Sequence, residues 1–134
     1  RITSAKIGEG GVRSETYAAY QAVVDIATDD EERALIAHTN PVVRGYLGGH
    51  LARFPPGYLH ELSDLLRDIT PVDEQDGCMV GRGTVAGYVA LKLCDAIRLE
   101  DVTASEARQV LRGVAADGAS PVQRDAQRCL DGLP

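Results

Sequence analysis

The feature that most limits what this chain can fold into is a hydrophobic spacing close to 3.6 residues, broken at intervals by helix-start signals. Ser14 precedes ETYAAYQAVVDIA (15–27), in which Tyr17, Tyr20, Val24 and Ala27 fall along one side. Thr28 and Glu31 form a T-x-x-E capping box ahead of DEERALIAH, and Asp29, Asp30, Glu31 and Glu32 crowd the turn where the helix dipole favours negative charge. Asn40-Pro41 reads as a cap followed by a first helical residue, because Asn accepts from free amides and Pro loses nothing there by lacking an N–H. That third helix is expected to run to about Arg53, where Phe54-Pro55-Pro56-Gly57 breaks it. Leu59, Leu62, Leu65, Leu66 and Ile69 mark a fourth. Thr84 then caps VAGYVALKLCDAIRL, apolar on most faces as a central helix would be. Thr103 and Glu106 give a second capping box, Gly118 suits a helix C-terminus, and Ser120-Pro121 repeats the cap-plus-proline start before VQRDAQRCLDGL.

The spacing therefore predicts seven helices and no strand, in one domain covering residues 1–134. TPVDEQDGCMVGRG (70–83), Gly-rich, acidic and without a period, reads as a long loop, and residues 1–13 as a flexible N-terminal segment. Two of the helix starts match: Asn40-Pro41-Val42-Val43-Arg44 and Ser120-Pro121-Val122-Gln123-Arg124. With Val43 laid on Val122, Leu47 falls on Ala126, His50 on Cys129 and Leu51 on Leu130, the stripe of a buried helix side. Leu35-Ile36 and Val110-Leu111 supply apolar pairs on the preceding helices, so the unit reads as helix, short turn, helix. Here the chain resembles the HEAT-repeat family, through Val43-Arg44 and Leu51 above all, and HTNPVVRGYLGGHL followed by LLRDITPVDEQDGC and a long apolar helix is similar to uncharacterised bacterial HEAT-like proteins. The resemblance covers residue 28 onward and implies an all-α, α-solenoid-like stack of helical hairpins whose function is a binding surface. It departs from the family at residues 70–83 and at Gly48-Gly49, where small residues would let a neighbouring helix approach closely.

Charge narrows the partners. The formal net charge is −6, which repels phosphate backbones unless basic residues cluster, so nucleic acid is disfavoured. An aromatic share of 4% with no Trp argues against a pocket built on ring stacking. No apolar run is long enough to span a bilayer, and RITSAKIGEGG lacks the apolar core of a signal peptide. The expected location is cytoplasmic, although a chain beginning at Arg1 leaves room for a leader removed before it. Cys78, Cys94 and Cys129 are too far apart for a C-x-x-C pair. Reduced structural thiols are the default reading, and one disulfide with a thiol left over is the alternative.

Candidate chemistry is sparse, and each candidate has a plainer explanation. Residues 77–84 (GCMVGRGT) superficially resemble a phosphate-binding loop, but the glycine spacing is short by one, Arg82 replaces Lys and Gly83 intervenes. His50 and His60, the latter beside Glu61, sit on different helices without H-E-x-x-H spacing, so packing or surface roles are expected. Cys78 lies among Asp73, Glu74 and Asp76, which push a thiol's pKa up and disfavour a nucleophile. No catalytic residue, metal or cofactor is expected. What remains is charge: Glu61, Asp64, Asp68, Asp73, Glu74 and Asp76 stand against Arg67 alone in residues 57–76, and residues 28–38 add four acids against Arg33. The expected function is a non-enzymatic protein-binding module using that acidic patch, in its sharper form an inhibitor or immunity-type protein for a basic toxin or enzyme. The alternative is a nucleic-acid-binding protein in which Arg44, Arg53, Arg82, Arg124 and Arg128 line a concave face. The oligomeric state is open.

Overall fold

In the computed structural model, residues 1–8, 10–53, 57–99 and 104–133 are described. In chain order the elements are β1 (Ile2–Ile7), β2 (Val12–Arg13), α1 (Glu15–Ile26), α2 (Asp29–Leu35), α3 (Pro41–Leu51), α4 (Leu59–Leu65), β3 (Pro71–Gly77), β4 (Met79–Thr84), α5 (Val85–Arg98), α6 (Ala104–Ala116) and α7 (Gln123–Asp131). The helix starts follow the local chemistry. Ser14 accepts from the Tyr17 amide, both bonds of the Thr28–Glu31 capping box form, Asn40 accepts from Val42 with Pro41 in the first turn, and Thr84 accepts from Gly87. The start at residue 120 differs: α7 opens at Gln123, and Ser120 and Pro121 belong to the turn before it, with Ser120 Oγ accepting from the Val122 amide at 3.4 Å. The Phe54-Pro55-Pro56 breaker and the Thr103 cap lie outside the described residues.

The all-α expectation is overturned by a four-stranded mixed sheet of order β2-β1-β3-β4, in which β1 and β3 run parallel at the centre and β2 and β4 flank them antiparallel. Residues 70–83 are therefore the β3–β4 hairpin and not a long loop. Its two-residue connection is Gly77-Cys78, with Gly77 at φ +56, a conformation that glycine adopts without a Cβ clash. Residues 2–7, read as part of a flexible segment, form β1 in the middle of the sheet. The β1–β3 register passes from Ile2↔Glu74 and Thr3↔Gln75 to Ile7↔Gly77, so β1 bulges between Thr3 and Ile7. The bulge is held by Ser4 Oγ, which accepts from the Gly77 amide at 3.2 Å, and by the Gly8 amide, which donates to the Gly77 carbonyl at 3.0 Å.

With strands at both its start and its middle, the chain is a mixed α and β fold, not a solenoid. The repeated stripes are nonetheless buried sides: Leu47 and Leu51 in α3, and Val122, Ala126 and Cys129 in and just before α7, are buried, while Val43, His50 and Leu130 are half-buried. They pack on different partners, α3 against α5, α4 and the sheet, and α7 against α5 and α6. The central helix α5 buries Val85, Ala86, Val89, Ala90, Leu93, Cys94, Ala96 and Ile97. The glycines of α3 make room for its neighbours. A Cβ on Gly45 would overlap the Ile2 side chain of β1, and one on Gly48 would overlap Val89 of α5. Cys94 of α5 and Cys129 of α7 are joined by a disulfide, so two of the three cysteines are not the reduced thiols taken as the default. Cys78 is left free and exposed at the hairpin tip. Among the described residues, no helix is long and apolar enough to cross a membrane.

Candidate functional site

The acids of residues 57–76 divide into two groups with different surroundings. The first joins α4 to α2. Arg33 of α2 donates from Nε to Glu61 Oε1 at 3.1 Å, lies 3.6 Å from Asp30, and places its guanidinium 5.0 Å from the centre of the Tyr58 ring. Beneath it Glu32, only 6% exposed, accepts from the Tyr58 hydroxyl at 3.1 Å and faces His50 Nε2 at 3.2 Å. Burial, with the hydrogen bond to Glu32, raises the Tyr58 phenol to about 12. These bonds hold α2 beside α4, so Asp29, Asp30, Glu31 and Asp64 all stand exposed on helices tied together by Arg33. His50 thus belongs to a half-buried polar cluster, while His60 is exposed on α4 and lies 3.7 Å from Asp64.

The second group lies on and before the sheet. Asp68 is occupied internally, accepting from Arg44 Nε at 2.7 Å and from the Thr70 amide at 3.0 Å, while Arg44 also donates to the carbonyls of His38 and Thr39. Burial alone would raise the Asp68 carboxyl, but the donors from Arg44 and Thr70 and the guanidinium charge outweigh it and leave the group below its ordinary value. Asp73 is exposed on β3, 3.8 Å from Arg82 of β4. Glu74 is half-buried and its carboxyl is raised by burial, against the opposing charge of Lys92. Asp76 is exposed next to the hairpin turn. Of the six acids singled out in the sequence, Glu61 and Asp64 therefore join the α2 acids, and Asp68 is committed to Arg44.

The five arginines of the alternative reading stand on α3, just past its end, on β4 and on α7. Arg44 and Arg82 are paired with Asp68 and Asp73, Arg53 lines a tyrosine cleft, and Arg128 lines a shallow hollow with Glu74, Arg98 and Asp125. Arg124 is exposed. Among the described residues no three His, Cys, Asp or Glu side chains form a group that could hold a metal ion.

One site escaped the sequence reading. Four of the five tyrosines, Tyr17, Tyr20, Tyr46 and Tyr88, converge from α1, α3 and α5 on a cleft of about 280 Å³ that Gly49, Arg53, Lys92 and Leu99 help to line. Tyr20 stacks on Tyr46 with ring centres 4.7 Å apart and planes 13° from parallel, and Tyr17 meets both edge-on. The small aromatic share concealed this, because a few rings gathered in one place make a surface that composition does not register. The i, i+3 pair Tyr17 and Tyr20 was the available signal, and it was read only as part of one side of the first helix.

Comparison with models of protein families, with curated proteins and with solved structures gives no match. Together with the sheet, this overturns the resemblance to HEAT repeats and its bacterial HEAT-like relatives, and with it the solenoid architecture that the resemblance implied. The matched stripes reflect a common need, since any helix packed on one side buries residues at that spacing.

Proposed function

We propose that this chain is a non-catalytic protein-binding module that presents the α2–α4 side to a basic protein partner, in the manner of an inhibitor that covers a cationic enzyme or toxin. The observation that carries this reading is Arg33 of α2, which pairs with Asp30 in its own helix and bonds across to Glu61 of α4. A single cation draws two acidic helices together and leaves Asp29, Asp30, Glu31 and Asp64 exposed beside it. Exposed carboxylates at the start of α2 also sit where the backbone amides lower the cost of gathering negative charge. A surface of this sign steers a cationic protein into contact and accelerates docking, most strongly at low salt. The Cys94–Cys129 disulfide supports a place for this encounter in an oxidising compartment, in preference to the cytoplasm.

The test neutralises the exposed acids and leaves the Arg33–Glu61 bond between the helices in place: Asp29→Asn, Asp30→Asn, Glu31→Gln and Asp64→Asn, with Gln at 31 chosen because it still closes the capping box. The parent and the quadruple variant are immobilised and exposed to an extract of the source cell at low and high salt. A basic protein that the parent retains and the variant loses, associating roughly tenfold more slowly with the variant, is the expected result. A partner indifferent to the four changes, or recovery of nucleic acid in its place, would overturn the reading.

A further inference from the structure

We propose that the hollow where α1, α2 and α3 meet binds a small uncharged hydrophobic molecule, of one or two rings or a short alkyl chain. This does not rest on the protein-binding reading of the acidic side. The incompletely packed element is α1. Its sequence, ETYAAYQAVVDI, is mostly apolar, yet none of its twelve residues is buried. A helix with an apolar side ordinarily buries that side against a neighbour. Here Ala19, Tyr20, Val23 and Val24 instead wall a hollow of about 330 Å³. Its other walls are Val42 and Val43, half-buried, with the buried Tyr46 and Leu47 of the same helix α3, and Leu35 of α2.

The lining selects a ligand without charge. Among the described residues no Asp, Glu, Lys or Arg lines the hollow, so an ion entering it would lose its hydration and gain no partner in return. The polar groups on the walls are engaged in the fold. Asn40 Oδ1 accepts from the Val42 amide at 2.9 Å, His38 Nδ1 accepts from the Asn40 amide at 3.0 Å, and the Tyr46 hydroxyl accepts from the Thr3 amide at 2.7 Å. Thr16, His38 and Asn40 are exposed, which leaves their remaining polar atoms to water. Burial raises the Tyr20 phenol to about 12, so it stays neutral. The two charges that act on that phenol, those of Arg53 and Glu32, are of opposite sign and stand outside the lining.

Size selects a small molecule over a protein. Of the apolar residues on the walls only Ala19 and Val23 are exposed, whereas a stable protein interface covers roughly 800 Å² on each partner. A second copy of the chain would also bring a charge of −6 against one of the same sign. The volume, in contrast, sits at the lower end of the roughly 300–1,000 Å³ range of small-molecule sites. Apolar walls that lack packing partners gain contacts from a hydrocarbon body that water does not supply.

The probes are indole, 1-octanol and octanoate, each titrated into the intact chain at about pH 7.5, where octanoate is ionised, while valine and leucine methyl signals are followed by NMR. Indole and 1-octanol should give saturable shifts at Val23, Val43 and Leu47 and leave the core residue Leu62 unmoved. Octanoate should bind about tenfold more weakly than the alcohol of the same chain length. Ala19→Leu places a larger side chain in the hollow and should weaken both neutral probes by about tenfold. Ala22→Leu, the same change at an exposed position of α1 that does not line the hollow, should leave them unchanged. Both substitutions keep helix propensity and neither touches a buried residue, so a difference between them reads occupancy of the hollow and not folding. Absence of saturable shifts, octanoate binding as tightly as 1-octanol, equal effects of the two substitutions, or self-association of the chain through these methyls without any probe would overturn the proposal.

Discussion

Asp68 shows how far a single side chain in this fold depends on its donors. Its carboxylate and the Arg44 guanidinium are only 17% and 15% exposed, so neither charge can fall back on water if the other is removed. Because the bonded carboxyl sits below its ordinary value, the pair contributes stability that is fully present above the unfolded carboxylate range near pH 4 and is lost as pH falls through the folded value. Asp68→Asn should therefore cost roughly 1–3 kcal/mol at neutral pH, and the difference from the parent should shrink toward zero as acid protonates Asp68. The check is urea denaturation of both proteins from neutral pH to about pH 2. Glu74 makes the difference between proteins the proper readout, since its raised carboxyl works in the opposite sense and gains stability as pH falls. A penalty that stays constant across the series would show that the Asp68 charge is not what Arg44 holds.

At the scale of elements, the helices were legible because what starts them is local. Ser14, Thr28, Glu31, Asn40 and Thr84 each sit within three residues of the amide they serve, so the cap can be read without knowing where the chain goes next. The strands were not legible for the opposite reason. β1 gains its place from β3, far along the chain, and β4 carries Gly81, Arg82 and Gly83 where an alternating apolar pattern would have announced a sheet. The apolar anchor of β1 is Ile2, which is 2% exposed and lies against the bare backbone of α3 at Gly45. Ile2→Ala should cost about 2–4 kcal/mol and should also speed amide exchange in β3, since β1 is its parallel neighbour. Faster exchange confined to residues 2–7, with β3 unaffected, would mean that the hairpin stands without the central strand.

Across the whole molecule, two features join parts that no local pattern connects. The acidic α2–α4 side was half legible, because the charges lie in two short runs, but that Arg33 draws them together is a tertiary fact. The tyrosine cleft was not legible, since its walls come from three helices and no local pattern shows that the four rings meet. The Cys94–Cys129 disulfide is the covalent counterpart of these long-range ties, fixing α7 to the central helix α5 across 35 residues. By constraining the unfolded chain over a loop of that length it should contribute about 3–4 kcal/mol. Replacing both cysteines by Ala should lower the melting temperature by roughly 10 °C, with the loss concentrated where α6 and α7 pack on α5. The native chain should then titrate with one thiol, Cys78, and the reduced, unfolded chain with three. Three reactive thiols in the native protein would sink the disulfide and remove the support it lends to an oxidising compartment.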